Sequence, residues 1–309
     1  MAGPAMREIG AEEVRAAVPM AAAVAAVQDA LRAGLDPEAD PARSVVPVER
    51  GHLLLMPAQS HEYVGVKVAS VAPENPALGH PRIQGSYLLL DARTLTPLAV
   101  LDGVALTAIR TAAVSAAAAD LLAVPDASRV VVFGTGPQAH SHLEALAAIR
   151  PVRQVTVVGR DQRRLKEFVG HYRPAAGLPF TVEAGGTEAI GGADVVVCCT
   201  TARTPLFDGA ALPAHATVVA VGSHEPDARE VDDETVRRST VVVEARSAAL
   251  REAGDIIQAV RAGVSGDALV GMADLVCGRA AVDPSRPRLF KSVGMAWEDL
   301  VIAAAAYQA

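Results

Sequence analysis

Two cations in this chain occupy positions where a cation needs a reason. Arg110 interrupts Leu106-Thr107-Ala108-Ile109-Arg110-Thr111-Ala112-Ala113-Val114, an otherwise uncharged helical stretch. A guanidinium buried there without a counter-charge would be costly. It therefore needs an internal partner, with Asp102 the nearest acidic residue in sequence, or an anionic ligand such as a substrate carboxylate. Lys67 lies in Tyr63-Val64-Gly65-Val66-Lys67-Val68-Ala69-Ser70. The strand period of two puts Val64, Val66 and Val68 on one face and Gly65, Lys67 and Ala69 on the other. Lys67 then either projects between small neighbours that leave room for a ligand or is a solvated lysine on an open face. Lysine is scarce, with only Lys67, Lys166 and Lys291 among 28 basic residues, which favours the ligand reading. Arg43, in Pro41-Ala42-Arg43-Ser44, offers a second arm for a carboxylate. Each charge-assisted bond of this kind contributes roughly 1.5–3 kcal/mol.

A phosphate-binding loop is the second chemical signal. Val130-Val131-Val132-Phe133 runs directly into Gly134-Thr135-Gly136-Pro137-Gln138-Ala139, a Gly-x-Gly-x-x-Ala pattern that opens a helix. Gly134 permits the tight turn, Gly136 lets the backbone approach a pyrophosphate, and small Ala139 lets helix and strand pack closely. Pro137 suits the first helical turn, whose N–H groups and dipole face the phosphates. The next strand ends at Val158-Gly159-Arg160-Asp161, about twenty residues on, where the adenosine ribose is read. Arg160 there suits a 2′-phosphate and favours NADP(H). Asp161 could instead accept from the 2′-hydroxyl of NAD(H), or simply cap the following helix. Cys199 and Thr200, and then Val221, Gly222 and Ser223, end two later strands at the edge where such folds hold their ligand. The cysteines themselves read as small buried apolar residues rather than nucleophiles.

These residues need elements to position them. An Ala-rich helix is expected over Ala11–Ala33, ended by Asp36-Pro37 and Asp40-Pro41. Short β-like runs follow at 45–46, 52–56, 63–70, 83–91 and 98–101, separated by Pro, Gly and Asn, as in an antiparallel sheet. A helix over Gly103–Ala123 connects this region to the next. From Val130 the rhythm is strand, helix, strand, with strands expected at 130–133, 155–158, 180–182, 193–199, 217–221 and 240–243 and helices from Pro137 and over Gln162–Gly170. Continuous apolar strands alternating with helices imply a parallel sheet covered on both faces. Asp255–Ala309 reads as mostly helical.

Composition excludes several classes. At 309 residues two domains are the default. A net charge of −7, with no basic run carrying aromatics, speaks against nucleic acid as a partner. Apolar runs are broken before the roughly 18 residues of a membrane span, and no leader pattern opens the chain. Three cysteines, Cys198, Cys199 and Cys277, form neither a disulfide framework nor a metal-ligand spacing, which suggests the reducing cytosol and no metal.

The runs Met56-Pro57-Ala58, Gly65-Val66-Lys67-Val68, Pro73-Glu74-Asn75-Pro76, Leu90-Asp91-Ala92-Arg93-Thr94, Leu101-Asp102-Gly103 and Leu106–Ala113 resemble the ornithine cyclodeaminase/mu-crystallin family. So do Gly134–Ala139 and Phe290-Lys291-Ser292-Val293-Gly294, and the likeness covers about Arg43 to Ala303. It implies an α/β fold: a Rossmann domain with a doubly wound parallel sheet over 123–284, and an α+β substrate and dimerisation domain from both chain ends, 1–122 with 285–309. By that likeness the chain is a homodimer, Arg43, Lys67 and Arg110 hold the carboxylate and imine of a small amino or imino acid, and Lys291, Val293 and Gly294 add cofactor contacts. Within the family, cyclodeaminases and alanine dehydrogenases carry an Asp two residues past the first Gly after the fifth strand. This chain has His224 there as the candidate catalytic residue, an imidazole that is neutral or cationic near pH 7 rather than an anion that anchors an ammonium. Pro226-Asp227-Ala228-Arg229-Glu230 resembles the ketimine reductase pattern instead. The resemblance therefore implies NAD(P)H-dependent reduction of Δ1-pyrroline-2-carboxylate or Δ1-piperideine-2-carboxylate. The alternatives are an ornithine cyclodeaminase-type lyase that recycles NAD and an amino-acid or N-substituted amino-acid dehydrogenase.

Overall fold

The computed structural model describes residues 6–172 and 180–309, which fall into two units. The first holds the residues up to Val114 together with Met295–Ala309. Its six strands are β1 (Arg7–Ile9), β2 (Ser44–Val48), β3 (Gly51–Gln59), β4 (Tyr63–Val71), β5 (Ile83–Asp91) and β6 (Pro97–Asp102), ordered β1-β6-β5-β4-β3-β2. The strands from β2 to β6 pair antiparallel in sequence order, as expected, and β1, absent from the sequence reading, joins β6 in parallel. The helix expected over 11–33 is two, α1 (Ala11–Ala17) and α2 (Met20–Arg32), because Pro19 between them has no N–H to continue the ladder. The last helix, α10 (Ala296–Gln308), packs on β3, β4 and β5 and against α1 and α2.

Helix α3 (Gly103–Leu122) contributes its residues up to Val114 to this unit and the remainder to the second. It is apolar all round and largely buried, as such a helix must be in water.

The second unit, Ser115–Gly294, has eight parallel strands. They are β7 (Arg129–Phe133), β8 (Gln154–Val158), β9 (Thr181–Ala184), β10 (Val195–Cys198), β11 (Thr217–Ala220), β12 (Thr240–Val243), β13 (Val270–Gly271) and β14 (Arg288–Lys291). The helices are α4 (Pro137–Ile149), α5 (Gln162–Tyr172), α6 (Asp233–Arg238), α7 (Arg246–Glu252), α8 (Gly254–Arg261) and α9 (Met272–Val276). The strand order is β13-β12-β14-β11-β10-β7-β8-β9. β10, β11 and β14 are buried along their whole length, which explains the near-continuous apolar runs of β10 and β11. From β7 the chain proceeds to β8 on one side and returns to β10 on the other, so the carboxyl ends of β7 and β10 flank the switch point where such sheets take ligands.

Two expectations are corrected here. The C-terminal stretch is not simply helical, because β14 inserts between β11 and β12; its Arg288 and Lys291 hid a strand whose positions are all buried. For the same reason the second unit runs on to Gly294 rather than ending at 284, and its other boundary falls within α3, at Val114/Ser115, rather than at 122/123.

Candidate active site

The loop after β7 has the geometry that a dinucleotide needs. Gly134 has φ +119°, a left-handed conformation, and a Cβ there would lie 2.7 Å from the Cys199 carbonyl oxygen. Gly134 thus lets the β7 turn pass against the end of β10. Gly136, at φ −91°, caps α4, and a Cβ on it would meet nothing within 4 Å. That open approach to the backbone at a helix N-terminus is the cradle of a pyrophosphate. Pro137 occupies the first turn, Ala139 is fully buried, and Gln138 has a buried side-chain oxygen with no hydrogen-bond partner among the described residues. Thr135 lies where any side chain on Gly159 would press against it, so the end of β8 stays close to the loop. These residues fit a nicotinamide dinucleotide.

At the end of β8, Arg160 is exposed and has no partner among the described residues, whereas Arg163 pairs with Glu167 at 2.9 Å. Asp161 accepts from the backbone N–H of Arg163 and Arg164, at 2.9 and 3.1 Å, and these bonds hold its carboxyl below the usual carboxylate range. It is the cap of α5, the simpler of the two readings.

The loops after β10 and β11 are tied together by Glu230, which the sequence reading quoted only as part of a motif. Its carboxylate accepts from Thr200 N–H at 2.7 Å, Thr200 Oγ1 at 2.8 Å and Gly222 N–H at 2.6 Å. Gly222 has no room for a Cβ between Thr200 and Glu230, and Val221 N–H bonds to the Cys198 carbonyl at 2.9 Å. Burial pushes the Cys198 and Cys199 thiols up, which agrees with an inert role. Asp255 holds Glu230 in turn by accepting from its N–H at 2.7 Å. Lys291, expected at the cofactor, is instead sealed between Asp255, at 3.0 Å, and the Ser223 carbonyl, at 2.7 Å. Ser223 Oγ donates inward to the Ala228 carbonyl at 2.9 Å. Val293 and Gly294 give their N–H groups to buried Glu244. Lys291, Val293 and Gly294 thus brace the loops rather than reach outward. His224 is exposed on the loop after β11.

The cations of the first unit meet partners that neither sequence reading named. Arg110 Nη1 lies 2.5 Å from Glu298 and its Nε 3.3 Å from Asp299. Asp102 instead caps α3 through the Ala105 N–H at 2.7 Å. Lys67 Nζ donates to Asp299 at 2.9 Å and to Thr107 Oγ1 at 3.3 Å. The strand face carrying Lys67 is the buried one, and the space over Gly65 is filled by the Tyr87 ring, with which a side chain there would collide. Burial, then the neighbouring Arg110, lowers the Lys67 pKa to about 8 against the opposing pull of Asp299 and Glu298. Such an ammonium is charged at neutral pH yet gives up its proton easily, the property of a general acid. Arg43, half-exposed, immediately precedes β2.

The model of the ornithine cyclodeaminase/mu-crystallin family matches residues 7–309. A Δ1-pyrroline-2-carboxylate reductase of Bacillus cereus is 35% identical over 87% of this chain and 85% of its own. A Δ1-pyrroline-2-carboxylate/Δ1-piperideine-2-carboxylate reductase of Azospirillum brasilense is 39% identical over 84% and 81%. The solved Δ1-pyrroline-2-carboxylate reductase of Thermococcus litoralis, in complex with NADH and L-proline, superposes with a TM-score of 0.91 at 31% identity, covering 98% of this chain and 97% of that one.

Proposed function

The chain belongs to the ornithine cyclodeaminase/mu-crystallin family, and from that premise we propose that it is an NAD(P)H-dependent reductase of cyclic imino acids, converting Δ1-pyrroline-2-carboxylate or Δ1-piperideine-2-carboxylate to proline or pipecolate. The observation that carries this reading is the buried Lys67, poised at about 8 beside Arg110. Reduction of a C=N bond needs one hydride at carbon and one proton at nitrogen. The bound dinucleotide supplies the hydride. Arg110, with Arg43, orients the substrate carboxylate, so that the ring nitrogen is presented to Lys67 for protonation. Gly134 to Ala139 would hold the pyrophosphate, and the loops braced by Glu230 would line the nicotinamide end.

NADPH is favoured over NADH because Arg160 stands exposed, with no partner among the described residues, at the end of the strand that reads the ribose, while Asp161 is engaged as a helix cap. We place the enzyme in the cytosol, to which three cysteines that form no disulfide among the described residues are suited. We also propose a homodimer, supported by the outer face of the six-stranded sheet. There the registers align Val46, Leu53, Leu55, Val66, Val68 and Leu88 on the face opposite Lys67, with Val46 and Val68 each 41% exposed. A mainly apolar face, with Ser44, Ser70 and Ser86 between these residues, can pack on its own copy across a two-fold axis.

The test follows NADPH absorbance as purified protein meets each cyclic imine, with an ammonia assay on L-ornithine plus NAD run in parallel. Imine-dependent oxidation is the expected result. Ammonia release without it would reassign the chain to cyclodeamination.

A further inference from the structure

The counter-charges of the substrate cations come from the start of α10. Glu298 and Asp299 are fully buried, and neither could stay ionised there without partners. Glu298 divides its oxygens between Arg110 and the Met295 N–H, the latter at 2.9 Å. Asp299 Oδ1 accepts the hydrogen bond of Lys67 Nζ at 2.9 Å, its Oδ2 lies 2.8 Å from the same ammonium as an ion-pair contact, and Oδ1 is also 3.3 Å from Arg110 Nε. Adjacent helix positions diverge by about 100°, so one carboxylate serves the guanidinium and the other the ammonium. Around Lys67, α3 contributes Thr107 and Arg110, α10 contributes Glu298 and Asp299, and β5 contributes Tyr87, its cross-strand neighbour, with Met56 opposite on β3. The Tyr87 hydroxyl is held well above its ordinary range by burial, Asp299 and Asp40, so it stays neutral. Thr107 Oγ1 donates to the Gly103 carbonyl at 2.7 Å and therefore accepts from Lys67.

We propose that Asp299 is the positioning residue that keeps Lys67 in its proton-carrying form at neutral pH and aims its ammonium; this rests on the reductase reading above. In the step, a Lys67 N–H bond breaks and an N–H bond forms at the ring nitrogen as hydride reaches the ring carbon. Lys67 is left as a neutral amine and regains its proton from solvent. Burial and Arg110 both disfavour the ammonium, and Asp299, through its charge and its hydrogen bond, is the largest opposing influence. Without that carboxylate, Lys67 would lose its proton at lower pH and have none to give.

The lysine content makes this directly readable, because Lys67, Lys166 and Lys291 are the only Nζ signals in the full chain. With 15Nζ-lysine labelling, Lys67 in Asp299→Asn is expected to titrate more than about one pH unit below wild type, a tenfold change in its proton affinity. The alkaline limb of kcat/KM for Δ1-pyrroline-2-carboxylate should move with it, while NADPH Kd is unchanged. Asp299→Glu should return the limb towards wild type at lower kcat. A limb that stays in place in Asp299→Asn, whatever happens to kcat, overturns the proposal. If Asp299→Asn does not fold, wild type decides, since the Lys67 titration and the alkaline limb must coincide and a gap of more than about one unit overturns it. Absence of any imine reduction by wild type would remove the reductase reading, and the paired NMR titrations would still report whether Asp299 sets the ammonium.

Discussion

Arg110 Nη1 lies 2.5 Å from Glu298 Oε2, and both side chains are withdrawn from water, 8% and 0% exposed. A guanidinium in that state is a structural member as well as the proposed substrate ligand, which changes how its removal must be interpreted. Arg110→Ala leaves Glu298 buried beside a missing charge, at a cost of about 3–5 kcal/mol. It should lose stability in chemical denaturation and activity together. Arg110→Lys keeps the charge but loses the planar fork. It should retain most stability, lose more than about tenfold (about 1.4 kcal/mol) in kcat/KM, and leave the dinucleotide Kd unchanged. Full activity in Arg110→Lys would take the guanidinium out of substrate recognition.

The two loop glycines should fail in opposite ways. Gly134→Ala puts a side chain at φ +119° against the Cys199 carbonyl, so it should destabilise the fold by roughly 1–3 kcal/mol. Gly136→Ala meets no protein atom and has an ordinary φ, so stability should stay within about 0.5 kcal/mol. Its methyl group stands in the pyrophosphate cradle, and NADPH Kd should rise more than about tenfold. Thermal melts and fluorescence titrations separate the cases. Equal cofactor affinity in Gly136→Ala would move the phosphates elsewhere.

Arg160→Ala should raise KM for NADPH by roughly ten- to a hundredfold, the worth of a lost charge-assisted bond, with little change for NADH. The exposed guanidinium has no partner among the described residues, so its loss should leave the fold unchanged. Matching effects on both cofactors would show that the 2′-phosphate is read by other residues.

The dinucleotide half was legible because its signals are local: Gly134 to Ala139 are consecutive, and the strand before and helix after lie next to them. Lys67 and Arg110 were legible as charges out of place. Their partners were not, since Glu298 and Asp299 are 188 and 232 positions away and read as an ordinary acidic first helical turn. The period of two assigned the right residues to each face of β4, but periodicity alone does not say which face is inside. Val64, Val66 and Val68 look like the core and are the more exposed set. β14 was missed because four residues with Arg and Lys at their ends carry no strand pattern until neighbours on both sides bury them.

That inverted sheet predicts assembly. Val68→Glu and Val46→Glu place charges on the outer apolar face without touching the Lys67 side. Sedimentation equilibrium should find two copies in wild type and one in the double variant, with the fold intact by circular dichroism. A variant that remains dimeric would put the interface elsewhere.

His142 gives a prediction independent of substrate. Its Nδ1 lies 2.7 Å from the Gln138 carbonyl, which can only accept, so Nδ1 carries the hydrogen and Nε2 accepts from Ser115 Oγ at 2.9 Å. A ring so used is neutral, and burial lowers its pKa to about 4. The unfolded imidazole takes up a proton near pH 6.5, the folded one only near 4. Between these values the unfolded chain binds the extra proton, so stability falls as pH falls; above about 6.5 neither state is charged and the ring adds no slope. The full difference is on the order of 3 kcal/mol. His142→Asn, which preserves a donor towards Gln138, should cost some stability at pH 7.5 but flatten the loss between pH 6.5 and 4 relative to wild type in urea titrations. Parallel pH profiles for the two proteins would mean that another group carries the acid sensitivity.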